Sequence, residues 1–280
     1  MMIKSNIHTH TQFCDGRESA ENLVKEAIRL GFHTLGFSSH SYTDFDDAFC
    51  MSKENTVKYI AEINRLKKEY KGKIDVLLGC EVDYFADVDL SPFEYIIGSL
   101  HYVQKDGLII NIDGPVDRQG RVREIPPMIE DVETYFGGDF YACCKNYYEL
   151  LCGVVKKTSA DVIGHFDIIA KFNTKYGLWD EDDKRYTDPA YEALACLLEE
   201  EKPFEINTGA MFGGYRKVPY PAPRFLRYIA DHGGEIIFSS DAHKKEALSY
   251  KQDDMVELAK QCGFKYAKIR RISGFEDVKL

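Results

Sequence analysis

Six of the eight histidines in this 280-residue chain, His8, His10, His40, His101, His165 and His243, stand at the ends of short apolar runs. Carboxylates keep them company: Asp15 follows His10 by five residues, Glu81 closes an apolar run, and Asp241 precedes His243 by two. Imidazole and carboxylate together make a ligand set for divalent transition metals, with zinc, iron and manganese all compatible. One histidine at a strand end is more often an ordinary side chain, because a core can pair a single ring. Six at one rim would each need separate partners for two ring nitrogens, so as a group they read as metal ligands. Spacing points the same way. In His8-Thr9-His10 and Asp241-Ala242-His243 the outer residues share one face of an extended chain, so each pair presents two ligands to one centre. His33 and His232 instead precede apolar runs, and a role in turns or helix caps fits both.

Elements must carry these residues to a common place. Apolar runs over 4–10, 34–40, 74–83, 95–101, 161–167, 203–208 and 235–243 predict strands, with a further short one over 266–269. Helical patterns lie between them, one opening at Ser19 and others over 53–70, 139–157, 189–201, 223–232 and 254–262. Gly31, Gly72 and Gly233 fall where helix C-termini are expected. Strands alternating with helices imply parallel pairing, because parallel neighbours need a crossover connection. Seven such units suggest an α/β barrel, whose strand C-termini share one face, although periodicity alone leaves an open doubly wound sheet possible. The segment 105–138, rich in Gly, Pro and charge, breaks the rhythm and reads as a loop insertion in a single domain spanning 1–280.

Composition narrows the function classes. Hydrophobic content of 44% allows a large core, and a net charge of −10 disfavours a polynucleotide partner, whose binding rests on neutralising phosphates. No long apolar stretch or leader is visible, so no membrane association is expected. Eight scattered cysteines with no CxxC pair suggest reduced thiols and a cytoplasmic protein. Gly213-Gly214 lacks the Lys-Ser/Thr of a P-loop, and no GxSxG elbow marks a serine hydrolase.

Taken in order, HTHTQFCDG, SSH, the Gly-Cys-Glu ending at Glu81, GSLHY, GHFD and SSDAH resemble the motifs of the PHP (polymerase and histidinol phosphatase) superfamily. The resemblance runs from His8 to His243 and implies a distorted (β/α)7 barrel of the PHP type. Two or three divalent metal ions (Zn, Fe or Mn) would lie at the C-terminal ends of its strands. By position it implies that His8, His10, Glu81 and Asp241 bind one metal. Glu81 bridges to a second, held also by His101 and His165, and Asp15, His40 and His243 hold the third. The segments 164–173 and 205–221 are similar to the histidinol-phosphate phosphatase branch. That implies hydrolysis of a small phosphomonoester, L-histidinol phosphate, in histidine biosynthesis.

Within this reading Asp241, His243 and Arg216 form the expected catalytic set, with Asp241 orienting or deprotonating water. Arg216, Lys217, Lys171 and Asn207 are the expected substrate contacts, the guanidinium of Arg216 matching a phosphate. Asp167, on the same face as His165, is expected to orient it. Asp44, Asp46 and Asp47 could draw in an ammonium group, and Tyr42, Phe45, Tyr102 and Phe212 could line an aromatic pocket. Two rivals remain: a phosphodiesterase acting on short oligonucleotides or dinucleotides, and a non-catalytic metal-binding module. Alanine at His8, His101 or His243 is expected to abolish turnover, whereas His33→Ala and His232→Ala leave turnover per folded molecule nearly unchanged. A steady-state assay of the five variants, with circular dichroism to verify folding, checks this division.

Overall fold

The computed structural model describes residues 3–46, 48–117 and 121–280. Its centre is a nine-stranded sheet. Along the chain come β1 (Ser5–Asn6), β2 (Thr34–Phe37), β3 (Asp75–Asp83), β4 (Tyr95–Ser99), β5 (Tyr102–Lys105) and β6 (Leu108–Asn111). They are followed by β7 (Val162–Ile163), β8 (Phe204–Asn207), β9 (Ile236–Ser239), β10 (Tyr266–Arg271) and β11 (Gly274–Lys279). The sheet order is β1-β2-β3-β4-β7-β8-β9-β10-β11; every pairing is parallel except β10 with β11, and β5-β6 form a separate antiparallel hairpin. Past the end of β1, Thr9 bridges Ala242 in parallel, with His10 N donating to the Ala242 carbonyl (2.9 Å) and Ala242 N to that of His8 (3.1 Å). The segments beyond the first and seventh parallel strands are thereby hydrogen-bonded to each other.

The longer helices are α1 (Ala20–Arg29), α2 (Lys53–Glu69), α3 (Pro127–Tyr135), α4 (Phe140–Leu151), α5 (Lys184–Leu198), α6 (Pro223–Asp231) and α7 (Gln252–Cys262). Side chains cap several of them: Ser19 accepts from Asn22 N, Ser52 from Asn55 N and Asp139 from Ala142 N, satisfying amides with no intrahelical partner. Gly31 and Gly233 follow α1 and α6 at positive φ, 74° in each, a conformation that costs glycine no steric clash. Among the described residues no helix is long and apolar enough to cross a membrane. All eight cysteines are free thiols.

Three expectations shift. The strands are shorter than the apolar runs, so the histidines ride on extended segments just past the ladder. There a serine hydroxyl takes over part of the bonding, Thr9 N donating to Ser38 Oγ at 3.2 Å. The helix expected over 139–157 breaks at Gly153 after α4, and a separate short helix, Val154–Thr158, follows. α5 starts at Lys184 rather than at Pro189, because the Asp183 side chain caps it by accepting from Arg185 N, and Pro189 lies inside the helix. β11 was not foreseen, since its residues are mostly exposed and show no alternation of burial.

A small buried cluster, Ile7, Leu77, Tyr95, Ile97, Val162 and Ile237, draws on β3, β4, β7, β9 and the residue after β1. Tyr95 organises it. Its hydroxyl hydrogen-bonds the carbonyls of Ile7 (2.6 Å) and Phe37 (2.9 Å), and its ring fills the space left by Gly36 and Gly79. A Cβ built on Gly79 would lie 2.2 Å from the ring. Tyr95→Phe strands two buried carbonyls, so it is expected to lower stability by about 1–3 kcal/mol. Gly79→Ala is expected to cost about as much or more by overpacking. Urea unfolding monitored by tryptophan fluorescence measures both.

Candidate active site

Glu81 lies at the middle of the cluster. β3 alternates sides, so Glu81 and Asp83 point to the same face while the thiol of Cys80 lies on the other. Glu81 Oε2 is 3.1 Å from His8 Nε2, 3.4 Å from His10 Nε2 and 3.0 Å from His40 Nδ1. Its Oε1 is 2.8 Å from His165 Nε2 and 3.3 Å from His101 Nε2. Asp241 adds Oδ1 at 3.0 Å from His10 Nε2 and 3.6 Å from His8 Nε2. Asp15 approaches His243 Nε2 at 3.0 Å, His10 Nδ1 at 3.6 Å and His40 Nε2 at 3.9 Å. All nine residues singled out as ligands thus meet in one place. Among the described residues the groups compact enough for one ion are His10-Asp15-His40-His243, His8-His10-Glu81 and His40-Glu81-His101, and His165 and Asp241 stand beside them rather than in them. Compared with the expected partition, His10 and His40 each stand in two groups.

The donor set fits divalent metals. Buried atoms aimed into the cluster lack hydrogen-bond partners: His8 Nε2, His10 Nε2, Asp15 Oδ1, Glu81 Oε2 and Asp241 Oδ1. Buried polar atoms are rarely left so, and several converging on one point are what cations satisfy. Electrostatics agree. Burial would raise the Glu81 carboxyl, yet His8, His40 and His101 hold it well below its usual range. Burial likewise opposes charge on His8, but Glu205, Glu81 and Asp241 keep its imidazolium well above the ordinary value. Against the same penalty, Asp15 and then Asp241 lift His243 to about 10. Anions held charged and rings drawn towards positive charge describe a place that calls for cations.

Other residues fix the rings. His8 Nδ1 donates to Glu205 Oε1 at 2.5 Å, turning Nε2 towards Glu81. Glu205 Oε2 accepts from His165 N (2.9 Å) and Asn207 Nδ2 (3.0 Å), and Ser239 Oγ also donates to the carboxylate. Asp83 Oδ2 accepts from both the backbone N (2.9 Å) and Nδ1 (3.2 Å) of His101. Ser99 Oγ donates to Glu81 Oε1 at 2.7 Å. Sequence reasoning passed over Glu205 and Asp83, although each lies two positions from a residue it did select on the same strand. Asp167 does not orient His165: it accepts from Ala222 N at 3.3 Å and faces Arg216.

A cavity of about 480 Å³ opens over the cluster. Lys171 lines it, its ammonium 2.6 Å from Asp113 Oδ1 and 5.2 Å from the centre of the Tyr215 ring. Arg17 and Lys244, neither of them anticipated, border it beside Asp15 and His243. Tyr102 and Phe212 line it as expected, whereas Tyr42 and Phe45 do not. Asp46 accepts from the Tyr102 hydroxyl at 2.6 Å, and Asp44 is exposed away from the cavity lining. Asp47 lies outside the described residues.

The expected roles of Arg216, Lys217 and Asn207 need correction, since none of the three lines this cavity. After the turn Gly209–Phe212 the chain doubles back, Arg216 N donating to Ala210 O at 3.2 Å. The guanidinium then points inward, to the Ala170 carbonyl at 2.9 Å, Glu181 at 3.3 Å and Asp167 at 3.8 Å, leaving Arg216 5% exposed. Lys217 faces solvent. Asn207 is fully buried, and its amide spans Glu205 and Asp241 Oδ2 (3.3 Å), which makes it a positioning group. Arg216→Ala is therefore expected to cost about 3 kcal/mol of stability by leaving Asp167 buried without its cation. Glu205→Gln, by contrast, is expected to weaken metal binding by about 10–100-fold. Thermal melts and metal titration of chelator-stripped protein separate the two.

Comparison with known proteins agrees with the fold. A model of the PHP domain matches residues 6–209. A probable histidinol-phosphatase of Deinococcus radiodurans is 29% identical over 272 residues, covering 91% of this chain and 92% of that protein. The histidinol-phosphatase of Lactococcus lactis is 26% identical over 284 residues, 94% and 93% of the two chains. A crystal structure of histidinol phosphate phosphatase from Lactococcus lactis, complexed with Zn, L-histidinol and phosphate, superposes with a TM-score of 0.67 at 20% identity. It covers 99% of this chain and 100% of that one, and shares its fold. The matched model spans most of the ligand cluster, and the chain belongs to the PHP domain family.

Proposed function

We propose that this protein is a metal-dependent phosphoric monoester hydrolase that converts L-histidinol phosphate to L-histidinol and phosphate, a step of histidine biosynthesis. One observation carries the reading: seven imidazole and carboxylate side chains form groups compact enough for a metal ion, with His165 and Asp241 against them, beneath a cavity of substrate size, in a chain matched almost end to end by histidinol-phosphatases. Two or three divalent ions are read as held by His8, His10, Asp15, His40, Glu81, His101, His165, Asp241 and His243. Bound there, such ions lower the pKa of water and offset charge on the phosphoryl oxygens.

The chain's own residues do the rest. Glu205 and Asp83 lock the His8 and His101 rings, so that the free nitrogens face Glu81 at the centre of the cluster. Asn207 holds Asp241 Oδ2 and so aims Oδ1 into the cluster, where it would ligate metal and orient the water beside it. Lys171, Arg17 and Lys244 offer ammonium and guanidinium donors along the cavity for phosphate oxygens. Burial disfavours charge on Lys171, but Asp113 more than restores it, keeping the amine protonated. Asn111, Asp113, Gly114 and Pro115 also wall the cavity, so the segment 105–138 is read as an insertion shaping the substrate end of one domain. The parallel strands are read as a distorted (β/α)7 barrel, joined through Thr9 and Ala242 and filled by the Tyr95 cluster. Free thiols fit a cytoplasmic setting.

A phosphate-release assay on a panel of esters, with zinc or manganese supplied, tests the substrate. The kcat/KM for L-histidinol phosphate is expected to exceed that for nitrophenyl phosphate and nucleoside monophosphates by roughly a hundredfold, the scale of a few specific contacts. Lys171→Ala is expected to raise KM while metal content stays unchanged. Equal rates across the panel, or faster cleavage of a dinucleotide, would overturn the assignment.

A further inference from the structure

A second cavity, of about 310 Å³, lies behind the segment that carries His40. Ser41 lines both this cavity and the catalytic one. The walls are Tyr42, Met51, Ile60, Val88 and Phe93, with the buried Cys80 at the inner end. Hydrophobic and aromatic walls around a few polar groups, at this volume, are the form small-molecule sites take.

Two observations go beyond shape. Ser41 is 3% exposed, and its hydroxyl has no hydrogen-bond partner. Hydroxyls this deeply buried almost always have one. At the exposed edge, Asp87 and Asp89 border the cavity against a single cation, Lys53, whose ammonium sits 5.0 Å from the centre of the Tyr42 ring. The result is a slot with an unanswered hydroxyl at its depth, apolar walls along its length and net negative charge at its mouth.

We infer that this slot binds an aromatic amine whose ring carries a hydroxyl or similar polar group. The ring lies between Tyr42, Ile60 and Phe93, the ring substituent meets Ser41 Oγ, and the ammonium faces Asp87 and Asp89. An anionic ligand of the same shape is repelled at the mouth. The slot also touches the catalytic machinery through its backbone. Ser41 N donates to the Glu81 carbonyl at 2.8 Å, Met51 N to that of His40 at 3.2 Å, and Cys80 directly precedes Glu81. A ligand here therefore bears on the segments that present two of the proposed metal ligands, and by reciprocity metal loading and ligand binding are linked.

Tyramine is the probe. Isothermal calorimetry with metal-loaded protein is expected to show saturable one-site binding that excess inorganic phosphate does not displace. 4-Hydroxyphenylacetate, which exchanges the ammonium for a carboxylate, is expected to bind at least about tenfold more weakly. Asp87→Lys with Asp89→Lys, both at exposed positions, is expected to reverse that preference, and Ile60→Trp to abolish binding by filling the slot. Tyramine at saturation is also expected to shift the manganese titration midpoint of chelator-stripped protein by about threefold or more. This second readout rests on the proposed metal site; the calorimetric one does not. Absence of heat at about 10 mM tyramine, displacement by phosphate, or a preference unchanged by the charge reversal would overturn the site. A manganese titration unmoved by bound tyramine would overturn the coupling.

Discussion

A single carboxylate, that of Glu81, faces the rings of His8, His10, His40, His101 and His165. Glu81 is 1% exposed, and an anion so far from water is tolerable only when positive charge or donors surround it. The five rings come from the ends of four strands, β1, β2, β4 and β7, around β3 itself. Their meeting fixes how those strand ends must converge, and the Ser38 hydroxyl and the Thr9–Ala242 bridge past the ladders are the local means of holding them there.

Around that centre a shell of buried acids works at one remove. Glu205 joins His8, the backbone of His165, Ser239 and Asn207, and through Asn207 it reaches Asp241. Asp83 does the same for His101 with two bonds from one oxygen. The rings of His8 and His101 are thus set in orientation from behind, and the tautomer that directs the other nitrogen forward is selected by the same bond. On the solvent side Asp113 tethers Lys171, tying the segment after β6 to the wall of the cavity.

The parts of this arrangement that were legible in the sequence share a cause. Histidine is uncommon, and its placement at the ends of apolar runs survives errors of several residues in the strand limits, so the nine side chains of the cluster around Glu81 could be named without knowing where each ladder stops. Arg216 shows the opposite case. Its position after β8 puts it at the correct end, but its direction is decided by the turn at Gly209–Phe212 and by Glu181, 35 positions earlier in the chain. No local pattern reports such a partner. Glu205 and Asp83 were within reach of the alternation rule, each standing two positions from Asn207 or Glu81 on the same strand face. β11 left no trace, its residues being neither alternately buried nor apolar.

The fit of Tyr95 against Gly36 and Gly79 has an evolutionary side. Three positions on β2, β3 and β4 share one volume, so none can change freely. A side chain at 36 or 79 requires a smaller residue at 95, and a smaller residue at 95 leaves a void unless one of the glycines grows. Among relatives these three sites should therefore vary as a set, with large and small exchanged across strands while their summed volume stays nearly constant. Drift in the interior of the sheet is then confined to compensated exchanges, even where the residues outside it diverge freely.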